Sequence, residues 1–244
     1  MGVRECGSTK ALRWRAFGIS KKGAAASDYE DAFAVSGNAG AGGPFRAALA
    51  DGATESVFAR HWAQLLASGF ASDGAAIFAE KRPAAQAAWA DAVDDPPSGA
   101  LPWYTAAKVA DGAFATLLGL SLRPGERAWQ ATSVGDGNLF HLREGALRRA
   151  WPRDDAERFG DRPALLPSRE NTPAPDPRRA EGAFAPGDAF VLATDAAAAW
   201  LLRTAPAEAL AWNGEAAFTE AVRHARAAGL LKNDDTTVVT LQLS

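Results

Sequence analysis

Residues 190–202, FVLATDAAAAWLL, form an almost wholly apolar run that one carboxylate, Asp195, interrupts. The stretch leading into it, GDAFVLATD (187–195), lacks a polar face and predicts a buried strand ending at Asp195. An unpaired ionised carboxylate is prohibitively costly in apolar surroundings, so Asp195 has to be paired, metal-bound or turned to water. A chain built around such a strand needs layers to cover it and partners for its acid.

The rest of the sequence supplies both. Strands are predicted over LRWRAFGIS (12–20), DAFAVSG (31–37) and the first part of FRAALADGAT (45–54). Thr54 is placed to cap a helix through 55–70, where Val57, Phe58, Trp62, Leu65 and Leu66 keep helical spacing. A second helix is predicted over 74–92, stopping at DDPPSG, and a third over 102–120, from Pro102 to the RPGE turn. Two tight-turn signals, GDGN and REG, predict a three-stranded meander over 128–151. Residues 152–179 are rich in proline and charge without a period, and read as a surface excursion with one helical turn. Helices over 196–203, 206–211 and 214–228 follow, and DDTTVVTLQL (234–243) closes the chain as a strand. Blocks of strands alternating with blocks of helices predict an α+β fold, antiparallel sheets layered with helices, in a single domain over 1–244.

Composition narrows the function classes. The 244 residues include 48% hydrophobic residues and 8 tryptophans, ample for a sizeable core, and Trp62, Trp200 and Trp212 fall on its helical faces. A net charge of -3 provides no basic field for nucleic acid, and the pairs Arg148-Arg149 and Arg178-Arg179 read as solvated faces. The single cysteine, Cys6, excludes an intramolecular disulfide and a thiolate metal cluster. The first residues lack a secretory signal, and no apolar run approaches the roughly 20 residues that cross a bilayer. The expectation is a cytoplasmic protein without membrane or nucleic-acid partners. A serine-hydrolase GxSxG is missing, and GDGN lacks the following helix that a phosphate loop needs. His61, His141 and His224 read as packing or surface residues.

Acids recur at predicted strand ends. Asp51 ends a strand before Gly52, Asp195 ends another, Asp234 and Asp235 open the last, and Glu30 and Asp31 open the second. Any one of them alone is an ordinary cap or turn former, and Asp195 could cap the helix at 196. Together they are different, because strand ends converge at the edge of a sheet sandwich. Carboxylates so gathered raise one another's pKa unless a cation neutralises them. A site rich in oxygen and free of histidine and cysteine suits Mg²⁺ or Mn²⁺, and Gly52 would let its carbonyl approach such an ion. Two ions about 4 Å apart can activate water for attack on phosphorus.

The motifs YEDAF, ALADGAT, SVGDGNLFHLREGAL, VLATDAAAAWLL and NDDTTVV occur in the order found in the metal-dependent protein phosphatase 2C family. The resemblance runs from about residue 14 to 243 and is closest to the compact bacterial branch. It implies an α-β-β-α sandwich, two packed antiparallel sheets flanked by helices. It implies that Asp51 bridges two Mn²⁺ or Mg²⁺ ions, with the Gly52 carbonyl on one and Asp195 and Asp234 on the other. Asp31 would hold metal-bound waters with Glu30 beside it, and Asp136 matches an acid near a third ion. Asp235 and Thr237 would orient Asp234 from behind. The implied reaction is hydrolysis of phosphoserine and phosphothreonine in proteins, opposing a serine/threonine kinase. A metal-bridging hydroxide would attack directly, without a phosphoenzyme. Residues 152–180 lie where the family carries its variable flap.

The chain departs from the family pattern at several points. Ala196 replaces the glycine after the TD acid, and Ala199 stands where some relatives carry a further acid. Ala53 replaces a histidine found in some members. The stretch KKGAAASDYED lacks the usual phosphate-binding arginine; Lys21 or Lys22 is the candidate substitute as a point charge, and the pair also reads as a solvated turn. Two other readings stay open: a non-catalytic relative that binds phosphoprotein or regulates a partner, and a phosphatase for small phosphorylated molecules.

Overall fold

The computed structural model describes residues 3–8, 12–37, 43–54, 56, 58–94, 109–160 and 162–244. Strands β1 (Val3–Ser8) and β2 (Leu12–Ile19) pair first, followed by β3 (Asp31–Ser36) and β4 (Phe45–Asp51). Helices α1 (Ala59–Asp73) and α2 (Arg82–Asp94) come next. The chain returns to strands in β5 (Phe114–Ala115), β6 (Leu117–Arg123), β7 (Ala128–Val134), β8 (Asn138–Arg143) and β9 (Ala146–Trp151). The short β10 (Leu166–Pro167), β11 (Arg178–Ala183) and β12 (Asp188–Ala193) follow. Helices α3 (Asp195–Arg203), α4 (Glu208–Ala211) and α5 (Glu215–Ala227) lead to the closing β13 (Thr236–Leu243).

Two antiparallel sheets result, ordered β1-β2-β13-β12-β8-β9 and β11-β7-β6-β4-β3, with β5 and β10 as a small separate ribbon. Between the sheets lie Leu49, Leu120, Trp129, Phe190, Leu192 and Leu241. On the outer face of the first sheet, Val191 and Val238 meet Trp200, Trp212 and Phe218 of the α3–α5 layer. On the outer face of the second, Ala48 and Leu117 meet Trp62, Phe70 and Trp89 of α1 and α2. The α-β-β-α order explains the apolar run at β12. Phe190 and Leu192 point between the sheets while Val191 and Ala193 point to the helices, so both faces are dry.

Several predicted elements differ. Of the predicted third helix, residues 109–111 are helical and 114–115 and 117–120 are strand, while 102–108 lie outside the described residues. A short apolar run such as Leu117-Leu118-Gly119-Leu120 fits a buried strand as well as a helix. The second helix starts late: Gly74, at φ 64, stops α1, a 3-10 turn spans Gly74–Phe78, and α2 begins at Arg82. The meander is split. β7 belongs to one sheet and β8–β9 to the other, so GDGN is a crossing between sheets instead of a hairpin. Glu144 and Gly145, both with positive φ, do make the β8–β9 hairpin. β1, β10 and β11 have no counterpart in the sequence reading, and β11 takes in the last two residues of the excursion, whereas the single turn expected there is the 3-10 turn Ala156–Arg158. Thr54 does not cap α1; Phe58, at φ 59, takes that position without a side-chain bond.

His141 has a packing role. Its Nε2 lies 2.8 Å from Asp188 Oδ2, and Arg143 forks onto both Asp188 oxygens. Burial alone would raise the Asp188 carboxyl, but Arg143, the Ala185 N–H and His141 hold it well below the usual carboxylate range. No described helix is long and apolar enough to cross a membrane.

Candidate functional site

Strand register sets the first pair of acids. In the β3–β4 ladder Asp31 stands directly opposite Asp51, at the first residue of one strand and the last of the other. The same end of the other sheet carries the next acids. Strand β12 stops at Ala193, Thr194 takes the N-cap, and Asp195 is the first residue of α3. So Asp195 opens a helix instead of ending the strand, and its Oδ1 accepts the Ala196 N–H at 2.6 Å. A carboxylate in a first helical turn is favoured by the helix dipole. Asp234 and Asp235 immediately precede β13, the antiparallel neighbour of β12.

Hydrogen bonds tie the two sheets together at this end. Thr237 Oγ1 donates to Asp31 Oδ2 at 2.5 Å, and Thr194 Oγ1 lies 3.3 Å from the same oxygen. The Tyr29 hydroxyl completes the chain by bonding to Thr237 Oγ1. Thr237, expected behind Asp234, thus serves Asp31. Asp235 accepts the N–H groups of Lys21 (2.9 Å) and Glu30 (2.7 Å), fastening the loop before β3 to the loop before β13. Its own N–H donates to Asp234 Oδ1 at 3.1 Å, so it holds Asp234 through the backbone.

The carboxylates sense one another. Burial, then Asp31, Asp195, Asp136 and Asp234, push the Asp51 carboxyl well up. Burial raises Asp31 as well, with Asp235 and Asp195 adding to it and the Thr237 hydroxyl opposing. Burial and then Asp195 lift Asp136 to about 6, with Arg153 opposing. Asp195 and Glu30 are also raised, by burial first and by Asp234 in addition. Acids from five separated segments therefore meet at one rim: Glu30 and Asp31, Asp51, Asp136, Asp195, and Asp234 with Asp235.

Four features bear on whether a divalent ion fits here. The donors are all oxygens, the chemistry that hard cations take. Asp31 Oδ1 is buried with no hydrogen-bond partner. The crowded carboxylates carry the mutual repulsion that a cation relieves. Gly52 is the fourth: a Cβ there would lie 2.9 Å from the Ala59 carbonyl carbon, so only glycine lets α1 start against this rim. Among the described residues, no three His, Cys, Asp or Glu side chains are already closed around one point. Two of the acids are turned onto protein donors instead, Asp195 onto the Ala196 N–H and Asp234 onto Lys232.

Three cations escaped the sequence reading. Lys232 Nζ lies 2.9 Å from Asp234 Oδ2. Arg226 of α5 donates to the carbonyls of Ser20 (3.1 Å) and Asp234 (2.7 Å), pinning the acidic loop. Arg60 of α1 lies over the Tyr29 ring at 5.8 Å and lines an open cavity of about 480 Å³ with Lys21, Glu30, Thr54 and Ser56. Lys21 reaches this cavity, whereas the exposed Lys22 does not line it. At the other side of the rim, Asn138 of GDGN exchanges two hydrogen bonds with the Arg153 backbone, fixing the start of the excursion at 152–179.

No protein-family model and no curated protein matches the chain. Solved structures do match over nearly all of it. The Mycobacterium tuberculosis serine/threonine phosphatase PstP/Ppp gives a TM-score of 0.61 at 19% identity, covering 96% of this chain and 99% of that one. The PPM Ser-Thr phosphatase MsPP from Mycobacterium smegmatis, solved with cacodylate, gives 0.61 at 18% identity, covering 97% and 100%. RsbX, solved with magnesium, gives 0.58 at 13% identity, covering 99% and 100%. The chain has the fold of the metal-dependent protein phosphatase 2C family, as its motif order implied.

Proposed function

We propose that this protein is a Mn²⁺- or Mg²⁺-dependent phosphatase that hydrolyses phosphoserine and phosphothreonine on cytoplasmic proteins, in opposition to a kinase. The observation that carries the reading is the gathering of Asp31, Asp51, Asp136, Asp195 and Asp234 at one rim, each of the first four raised by burial first and by its acidic neighbours in addition. Crowding of this kind is electrostatically unfavourable without cations and is a known mark of functional sites. Similar folds support it: PstP has been solved with 2 manganese ions and RsbX with magnesium.

Asp51, Asp195 and Asp234 are the side chains that would hold the ions, with Asp31, Glu30 and Asp136 around them and Gly52 permitting the close approach of α1. Bound divalent ions supply positive charge to the phosphoryl oxygens and acidify water for in-line attack. The chain's own part is to place the phosphate. Lys21 and Arg60 offer cationic donors from the cavity beside Glu30, the place where the family arginine is missing from the sequence. Arg60 is the better match, because a planar fork meets a phosphate through two hydrogen bonds. Asp31, hydrogen-bonded by Thr237 and Thr194, links the two sheets next to Asp51 and would thereby help to hold Asp51 and Asp195 in place.

The test is turnover of p-nitrophenyl phosphate with and without MnCl₂, for the parent and for Asp51→Asn and Asp195→Asn. Metal-dependent turnover that falls at least about 100-fold in both variants supports the proposal. Turnover in the parent no greater than in the variants would favour the phosphoprotein-binding reading. Phosphopeptides compared with small phosphate esters then decide the substrate class.

A further inference from the structure

We infer that Lys232 is a built-in counter-ion of the acid cluster, held on Asp234 in the metal-free protein and displaced when a divalent ion binds. The inference rests on the reading of Asp234 as a metal ligand. Lys232 Nζ is 2.9 Å from Asp234 Oδ2, and the ammonium also feels Asp195 and Asp51. This lysine is therefore coupled to all three acids assigned to the ions, and it takes one of the oxygens such an ion would use.

The loop keeps it there. Leu231, one residue before, is buried against the α3–α5 layer. Asn233, one residue after, exchanges hydrogen bonds with the Lys22 backbone at 2.7 and 3.3 Å. Arg226 grips the Asp234 carbonyl from α5. Anchored on both sides, the Lys232 backbone leaves its side chain little choice of neighbourhood. The side chain itself is 65% exposed and Asp234 32%, so the ammonium can swing into water when another cation arrives. A partly exposed pair of this kind is weak enough to be displaced. It also neutralises part of the cluster's repulsion before that happens.

An ammonium resting on Asp234 has to be displaced before an ion takes that oxygen, so removing it strengthens metal binding. Calorimetric titration of MnCl₂ into the metal-free parent, Lys232→Gln and Lys232→Arg reads this directly. Lys232→Gln should bind Mn²⁺ about 3- to 10-fold more tightly than the parent, while Lys232→Arg keeps parental affinity, since charges a few ångströms apart near a surface interact on that scale. The metal-free Lys232→Gln protein should also melt below the parent, a gap that saturating Mn²⁺ closes or reverses. Unchanged or weaker Mn²⁺ affinity in Lys232→Gln, with clear binding by the parent, overturns the counter-ion while leaving the metal site standing. Absence of Mn²⁺ binding by parent and variants alike overturns both.

Discussion

Asp31 shows what a single buried carboxylate can and cannot do here. Two threonine hydroxyls serve its Oδ2, while Oδ1 has no partner. A buried polar atom left so costs roughly 1–3 kcal/mol, which makes a nearby cation favourable. Asp136 expresses the same pressure as a pH dependence. Its carboxyl rises from an ordinary 3.8 to about 6, so its contribution to stability is complete below 3.8 and is lost as pH rises through about 6. The gap corresponds to at most about 3 kcal/mol. In EDTA, Asp136→Asn should therefore be about 1–2 kcal/mol more stable than the parent at pH 7 and close to it at pH 4. Urea midpoints at the two pH values measure this, and a variant less stable at pH 7 contradicts it. The acids themselves were legible in the sequence because a carboxylate beside an apolar strand is conspicuous. Their partners were not: that Thr237 serves Asp31 depends on register across two sheets. Lys232 and Arg226 carry no local signature at all.

At the scale of elements, the closeness of α1 to the second sheet decides where the Asp51 end of β4 sits. Gly119 of β6 faces Phe70 of α1 so tightly that a Cβ would lie 2.2 Å from the ring. Gly119→Ala must push α1 outward and should cost about 1–3 kcal/mol of stability. Adding Phe70→Leu should restore part of that loss; an unshifted urea midpoint for Gly119→Ala would contradict the packing described. The same glycine explains the misread helix, since an apolar run containing it fits a strand under a bulky neighbour as readily as a helix. The split of the meander has a related cause. Gly135 at φ 105 looks like hairpin chemistry locally, yet a Cβ there would lie 2.5 Å from Thr116, the residue that links β5 and β6. Whether such a turn joins neighbours or crosses between sheets is settled by distant packing. Strongly periodic or wholly buried elements such as β12, α3 and α5 were readable because their own faces demand one environment.

The whole molecule is a sandwich whose two sheets each bring acids to a common rim, Asp31 and Asp51 from one, Asp195 and Asp234 from the other. Neither sheet alone would crowd carboxylates in this way. The crowding exists because Thr194, the cap that follows β12, and Thr237 of β13 reach Asp31 of the second sheet, and because Asp235 ties the loops before β3 and β13. Block order in the sequence was enough to anticipate the layers. The meeting of the rims was anticipated from acids recurring at strand ends and from the order of the motifs, while its geometry came from the packed sheets. Anomalous diffraction from a Mn²⁺-soaked crystal tests the central claim most directly. Strong manganese peaks should lie between Asp51, Asp195 and Asp234, with Lys232 turned away from Asp234. Peaks confined to other parts of the surface, or none at saturating Mn²⁺, would contradict it.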